Sequence, residues 1–224
     1  MLTGLKGKQS MTSDGYQEGI LDRTLQAASA HLLSRRHSDG HWAYELEADV
    51  TIPAEYILLN HFLGEIDDDL EPKLAHYIRR TQSQDGGWPL YAGGDFNISA
   101  SVKAYFALKL AGDDIKASHM RQAREAILAH GGAVNCNVFT RITLALFKQI
   151  PWRAAPVSRV EIILAPTWFP IHLSKVSYWT RTVTVPLLVL TALKPVGQNP
   201  RGISIDELFH KPPYQENYQL TNPT

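Results

Sequence analysis

The chain has 224 residues, 44% of them apolar, with 22 basic side chains balanced by 22 acidic ones. That length allows a sizeable core, the composition argues against disorder, and the charge balance gives no field to draw in nucleic acid or an acidic partner. A single cysteine, Cys136, allows no internal disulfide and suits a reducing compartment; the first twenty residues hold no secretory core, and the most apolar run, Val183–Leu193, is about half a bilayer span.

In chain order, residues 1–15 read as an N-terminal extension. From about 17 to 36, Ile20, Leu25, Ala28 and Leu32 recur on one stripe, which predicts an amphipathic helix. Asp-Gly-x-Trp follows it, ending at Trp42 with Gly40 in the turn. Next comes an apolar segment with Ile57, Leu58, Leu59, Phe62 and Leu63. Asp68-Asp69-Leu70-Glu71-Pro72 then has the form of a helix start, with a capping carboxylate, a Glu three residues on and a proline in the first turn. The helix over 70–82 is amphipathic, and a second Asp-Gly-x-Trp closes it at Trp88, 46 residues after Trp42. Apolar helices are expected around Val102–Leu110, Val138–Phe147 and Val183–Leu193, each apolar on most sides and hence buried. Gly64, Gly112 and Gly131-Gly132 stand where C-terminal caps belong.

Amphipathic and apolar helices therefore alternate, roughly one pair per 40–50 residues, which predicts an all-α fold with an inner apolar layer and an outer amphipathic one: an incomplete α/α barrel over 16–194. Ten of the thirteen prolines lie from Pro151 onward, where long uninterrupted helices are disfavoured. Residues 195–224, polar and proline-spaced, read as a connector toward a further C-terminal part.

No constellation in the sequence announces catalysis by itself. Asp67-Asp68-Asp69 fits a helix cap better than a cation site. His31, His37 and His41 lack the ligand number and spacing of a zinc site, and Cys136 reads as a small buried thiol. No glycine-rich phosphate loop or nucleophile elbow is present, and no cofactor is implied.

The repeat resembles the glutamine–tryptophan motif of triterpene cyclases through Tyr77, Ile78, Gln82, Gly86 and Trp88; the first copy, with Gly40 and Trp42, carries Arg36 in place of the glutamine. Further blocks in order resemble the squalene–hopene cyclases of proteobacteria, from Leu46-Glu47-Ala48-Asp49 through Val138-Phe139-Thr140-Arg141 and Trp179-Thr180-Arg181-Thr182 to Ala192-Leu193-Lys194-Pro195. The resemblance covers about residues 16–210. It implies the smaller, more N-terminal barrel of a two-barrel enzyme. Such an enzyme is monotopic on the cytoplasmic side of the bacterial inner membrane, takes squalene into a cavity between its domains and uses no metal. By position, Trp179 and Phe139 would line that cavity and Glu55 would stand near the water that ends the reaction. A plain core role for either aromatic, and a helix-pairing role for Glu55, stay open. Lys103 takes a position that is acidic in some members, and Asn137 one that is Arg. The family's Asp-x-Asp-Asp acid lies beyond Thr224, so the chain alone is expected to be inactive without the C-terminal domain. Two other readings compete: a barrel like the β subunit of a protein prenyltransferase, and a non-catalytic helical-repeat binding module.

Overall fold

The computed structural model describes residues 13–44, 47–156, 159–170 and 172–218, with side chains from Gly19 onward. The chain divides into two compact units between Glu47 and Ala48. The first unit holds α1 (Ser13–Ser34) and the turn after it. In that turn the His37 amide donates to the His41 carbonyl and the Gly40 amide to the His37 carbonyl, while the Trp42 indole N–H reaches back to the Leu32 carbonyl at 2.6 Å.

The second unit carries α2 (Thr51–Leu63), α3 (Glu71–Arg80), α4 (Ile98–Leu110), α5 (Ser118–Ala129), α6 (Val138–Leu146) and α7 (Tyr178–Leu193), with short 3₁₀ turns between them. Among the described residues there is no strand. Local chemistry sets most of the helix ends. Asn97, Asn137 and Ser177 precede α4, α6 and α7, and each side chain accepts the amide three residues on. Gly64 ends α2 at φ +75° in the left-handed region that glycine enters without strain. The start of α3 differs in detail from expectation. The capping carboxylate is Asp67, which accepts from the amides of Asp69 and Leu70; Glu71 turns inward instead of completing a capping box.

The turn after α3 repeats the turn of the first unit bond for bond: the Ser83 amide donates to Gly87, the Gly86 amide to Ser83, and the Trp88 indole to the Ile78 carbonyl at 2.8 Å. A positive glycine φ recurs once more at the same interval, without the turn's hydrogen bonds, since the Gly132 amide donates to the Ile127 carbonyl. Gly40, Gly86 and Gly132, at intervals of 46, have φ of +94°, +85° and +77°. A Cβ on Gly86 would stand 2.7 Å from the Gln122 carbonyl oxygen, and one on Gly132 2.9 Å from that of Leu208. These close approaches explain the glycines at both positions.

The amphipathic α3 and α5 each bury one face, through Ala75 and Ile78 and through Met120, Ala123 and Ile127. The apolar α4 packs against α2, α3 and α5 and is buried at every position from Ser99 to Leu108. Phe62 and Phe106 both meet Phe147 edge to face, which joins the end of α6 to α2 and α4. This is the alternation of inner and outer helices of an incomplete α/α barrel.

The apolar run Val183–Leu193 is helical but not buried: along α7 only Leu188 is, and Leu193 is 73% exposed. Pro186 also lies inside this 16-residue helix, where the lost amide costs one hydrogen bond without ending it. The stretch 195–218, read as a connector, packs on the second unit. The amides of Gly197, Gln198 and Asn199 donate to carbonyls at the ends of α6 and α2, and Ile205 and Leu208 are fully buried. The segment lacks helical periodicity because it is a strap: its backbone groups are met by helix-terminal carbonyls and by Gln149, whose side chain accepts the Ile205 amide at 2.9 Å and donates to the Ile203 carbonyl.

Candidate functional site

One side of α2 carries Glu55, Leu58, Leu59 and Phe62, spaced i, i+3, i+4 and i+7. On α6, Phe139, Ile142, Thr143 and Leu146 follow the same spacing, so each helix offers a continuous second face. With Phe147 and with Leu187 and Leu190 of α7, these faces enclose an apolar groove of about 500 Å³. A helix that is apolar all round thus packs on one side and lines a groove with the other.

Glu55 is the one ionisable side chain of this lining. It is 49% exposed, and its Oε1 accepts from the Lys103 ammonium, which comes from α4 behind the wall with only 8% of its side chain exposed. The structure therefore brings Glu55 and Phe139 to a single groove and pairs Glu55 with Lys103. Trp179 lies elsewhere. It stands in the first turn of α7, 76% exposed and outside the lining of this groove. A larger surface groove of about 790 Å³ runs between the end of α6 and the strap, lined by Trp152, Tyr214, Lys148 and Lys194 among others. None of the anticipated site residues reaches it.

The repeat residues are structural in their contacts. Gln82 Nε2 donates to the Gly86 carbonyl at 2.7 Å and to the His119 carbonyl at 2.9 Å, which ties the turn after α3 to the first turn of α5. Beside this contact Asp113 accepts from Arg79 and pairs with His119. Burial pushes its carboxyl up, but the hydrogen bonds from Arg79 and His119 prevail and hold it below the ordinary carboxylate range. The Cys136 thiol is buried and pushed up to about 12, which makes it inert at neutral pH. His37 and His41 stack, and His41 pairs with Asp39 at 2.6 Å, the behaviour of loop histidines.

One polar cluster escaped the reading of the sequence. Glu71, on the inward face of α3, takes the ring of His61 at 2.6 Å and the guanidinium of Arg201 at 2.8 Å, so α2, α3 and the strap meet on one buried carboxylate. The available signal was His61 itself, a histidine inside the mostly apolar run 57–63.

A model of the squalene–hopene cyclase N-terminal domain family matches residues 25–224. The chain is 53% identical to a squalene–hopene cyclase of Bradyrhizobium diazoefficiens over 94% of its own length and 32% of that protein. It is 59% identical to one of Zymomonas mobilis over 83% of its length and 28% of the relative. A squalene–hopene cyclase of Alicyclobacillus acidocaldarius is 34% identical over 84% of the chain and 30% of its own length. The chain thus spans about a third of the length of the curated relatives it matches. Neither the prenyltransferase-like reading nor the binding-module reading draws support from these matches.

Proposed function

We propose a function from the family: this chain belongs to the squalene–hopene cyclases, matched through their N-terminal domain over residues 25–224. It supplies one barrel of an enzyme that protonates a terminal double bond of squalene and lets the polyene close ring by ring through carbocations. Loss of a proton then gives hopene, an isomer of the substrate; capture of water gives hopanol. The second barrel and the rest of the cavity belong to the C-terminal part that the relatives carry.

The observation that carries this reading is the groove between α2, α6 and α7, where Phe139 and Glu55 share one apolar wall. Squalene has no polar group, so burial of apolar surface is what holds it. The face of Phe139 stabilises positive charge as it develops along the chain, in a setting from which water is largely excluded. Glu55 holds the water that ends the reaction. Trp179, outside this groove, forms aromatic wall against the C-terminal part. Among the described residues no helix is long and apolar enough to cross a membrane; the enzyme sits on the cytoplasmic face of the bacterial inner membrane as a monotopic protein and draws squalene from the bilayer.

The 224 residues contain no Asp-x-Asp-Asp sequence, and without a strong acid the first protonation has no catalyst. Purified chain incubated with squalene is expected to give no cyclised product by gas chromatography–mass spectrometry. Combined with the remaining C-terminal portion of the Zymomonas mobilis relative, it is expected to give hopene, and Phe139→Ala to lower that yield roughly tenfold. Cyclised product from the chain alone, or a Phe139→Ala variant as active as wild type, would overturn the reading.

A further inference from the structure

The groove's single charge is answered from behind its wall. Lys103 lies on α4, the most deeply buried helix of the fold, and its ammonium donates to Oε1 of Glu55. Among the described residues no hydrogen bond reaches Oε2. Packing alone does not call for a lysine here. Leucine or methionine would fill similar volume without the cost of taking an ammonium out of water. What the lysine changes is the field in the groove. A lone carboxylate on an apolar wall attracts cations and repels anions, whereas an ion pair presents only a dipole to anything lying alongside it.

We propose that Lys103 determines what this groove accepts: by taking up the charge of Glu55 from behind, it keeps the groove neutral, selecting an uncharged hydrocarbon chain over a charged amphiphile. The pair also leaves Oε2 as the one carboxylate oxygen free to hold water. The inference rests on the reading of the groove as a hydrocarbon wall. It makes Lys103 a positioning residue, since the amine acts through Glu55.

The test is calorimetric titration of the chain with octanol below its solubility limit, and with octyltrimethylammonium and octyl sulfate below their micelle concentrations, for wild type, Lys103→Met, Glu55→Gln and the double variant. Binding elsewhere on the surface is common to all four proteins and cancels in the ratios between ligands. Wild type is expected to prefer octanol to either ion. Lys103→Met should gain roughly tenfold for octyltrimethylammonium with octanol unchanged, Glu55→Gln should gain similarly for octyl sulfate, and the double variant should return to the wild-type order. Parallel changes for all three ligands would mean that Lys103 merely fills space, and the inference would be overturned. Should Lys103→Met fail to fold by circular dichroism, Glu55→Gln decides alone, because its site is half exposed; no shift toward the sulfate then sinks the inference. Octanol binding without any ionic shift removes only the role of Lys103. Octanol binding that is absent from wild type removes the hydrocarbon wall as well.

Discussion

Trp42 and Trp88 make the same hydrogen bond to a carbonyl ten residues back, yet Trp88 is fully buried while Trp42 is 44% exposed. Truncation of a buried tryptophan removes its transfer free energy and leaves a cavity, so Trp88→Ala should cost about 3–5 kcal/mol. Trp42→Ala should cost less than half of that, and urea titrations of the two variants make the comparison. Gly86 gives a sharper check. Alanine there meets both a positive φ and a backbone oxygen at 2.7 Å, so Gly86→Ala should destabilise by more than about 1 kcal/mol, while Gly93→Ala, with open space around it, should cost only the backbone strain. Asp113 predicts a pH effect. Its folded carboxyl titrates below the unfolded value near 3.9, so the stabilisation is fully present above that pH and is lost as pH falls through the folded value. Asp113→Asn should lower the urea midpoint at pH 7 and weaken the further loss that wild type shows on acidification toward pH 3.

At the scale of elements, the strap has the most to answer for. Its backbone bonds to the ends of α2 and α6, Ile205 and Leu208 complete the core, and Arg201 and Glu207 pair with Glu71 and Lys109. A segment held this way exchanges slowly. The amides of Gln198, Asn199 and Ile205 are expected to be protected in hydrogen-exchange mass spectrometry as well as those of the neighbouring helix ends. Leu208→Ala should cost about 2–5 kcal/mol, the range for a buried leucine. Fast exchange through 197–208 together with a neutral Leu208→Ala would return the segment to the status of a connector.

For the whole molecule the decisive feature is the exposed apolar surface from 160 to 193. Leu164, Trp168, Trp179 and Leu193 are each more than 70% exposed. Surfaces of this kind on a soluble monomer promote association. The chain by itself is expected to bind a hydrophobic dye and to elute broadly from a size-exclusion column, and both effects should diminish when the C-terminal portion of a squalene–hopene cyclase is supplied. A sharp monomer peak without dye binding would mean that the barrel closes on itself.

What could be read in the linear sequence was local. The turn after α3 asks for glycine at one dihedral and tryptophan two residues later, and Asn97, Asn137 and Ser177 act on amides three residues away. The caps are met within one turn of chain and the Trp88 indole bond spans ten residues, so they leave a mark at fixed spacing, and the tryptophan turn returns after 46 residues. Alternation of apolar and amphipathic helices, and with it the α/α architecture, is legible for the same reason. Tertiary structure alone decided the pairings between distant residues: Glu55 with Lys103 across 48 positions, Glu71 with Arg201 across 130. It also decided that Ile205 and Leu208, without periodicity, would be buried while α7, apolar on most sides, would not. Hydrophobicity states that a side chain is better out of water; which surface covers it depends on the path of the backbone, and no local pattern records that path.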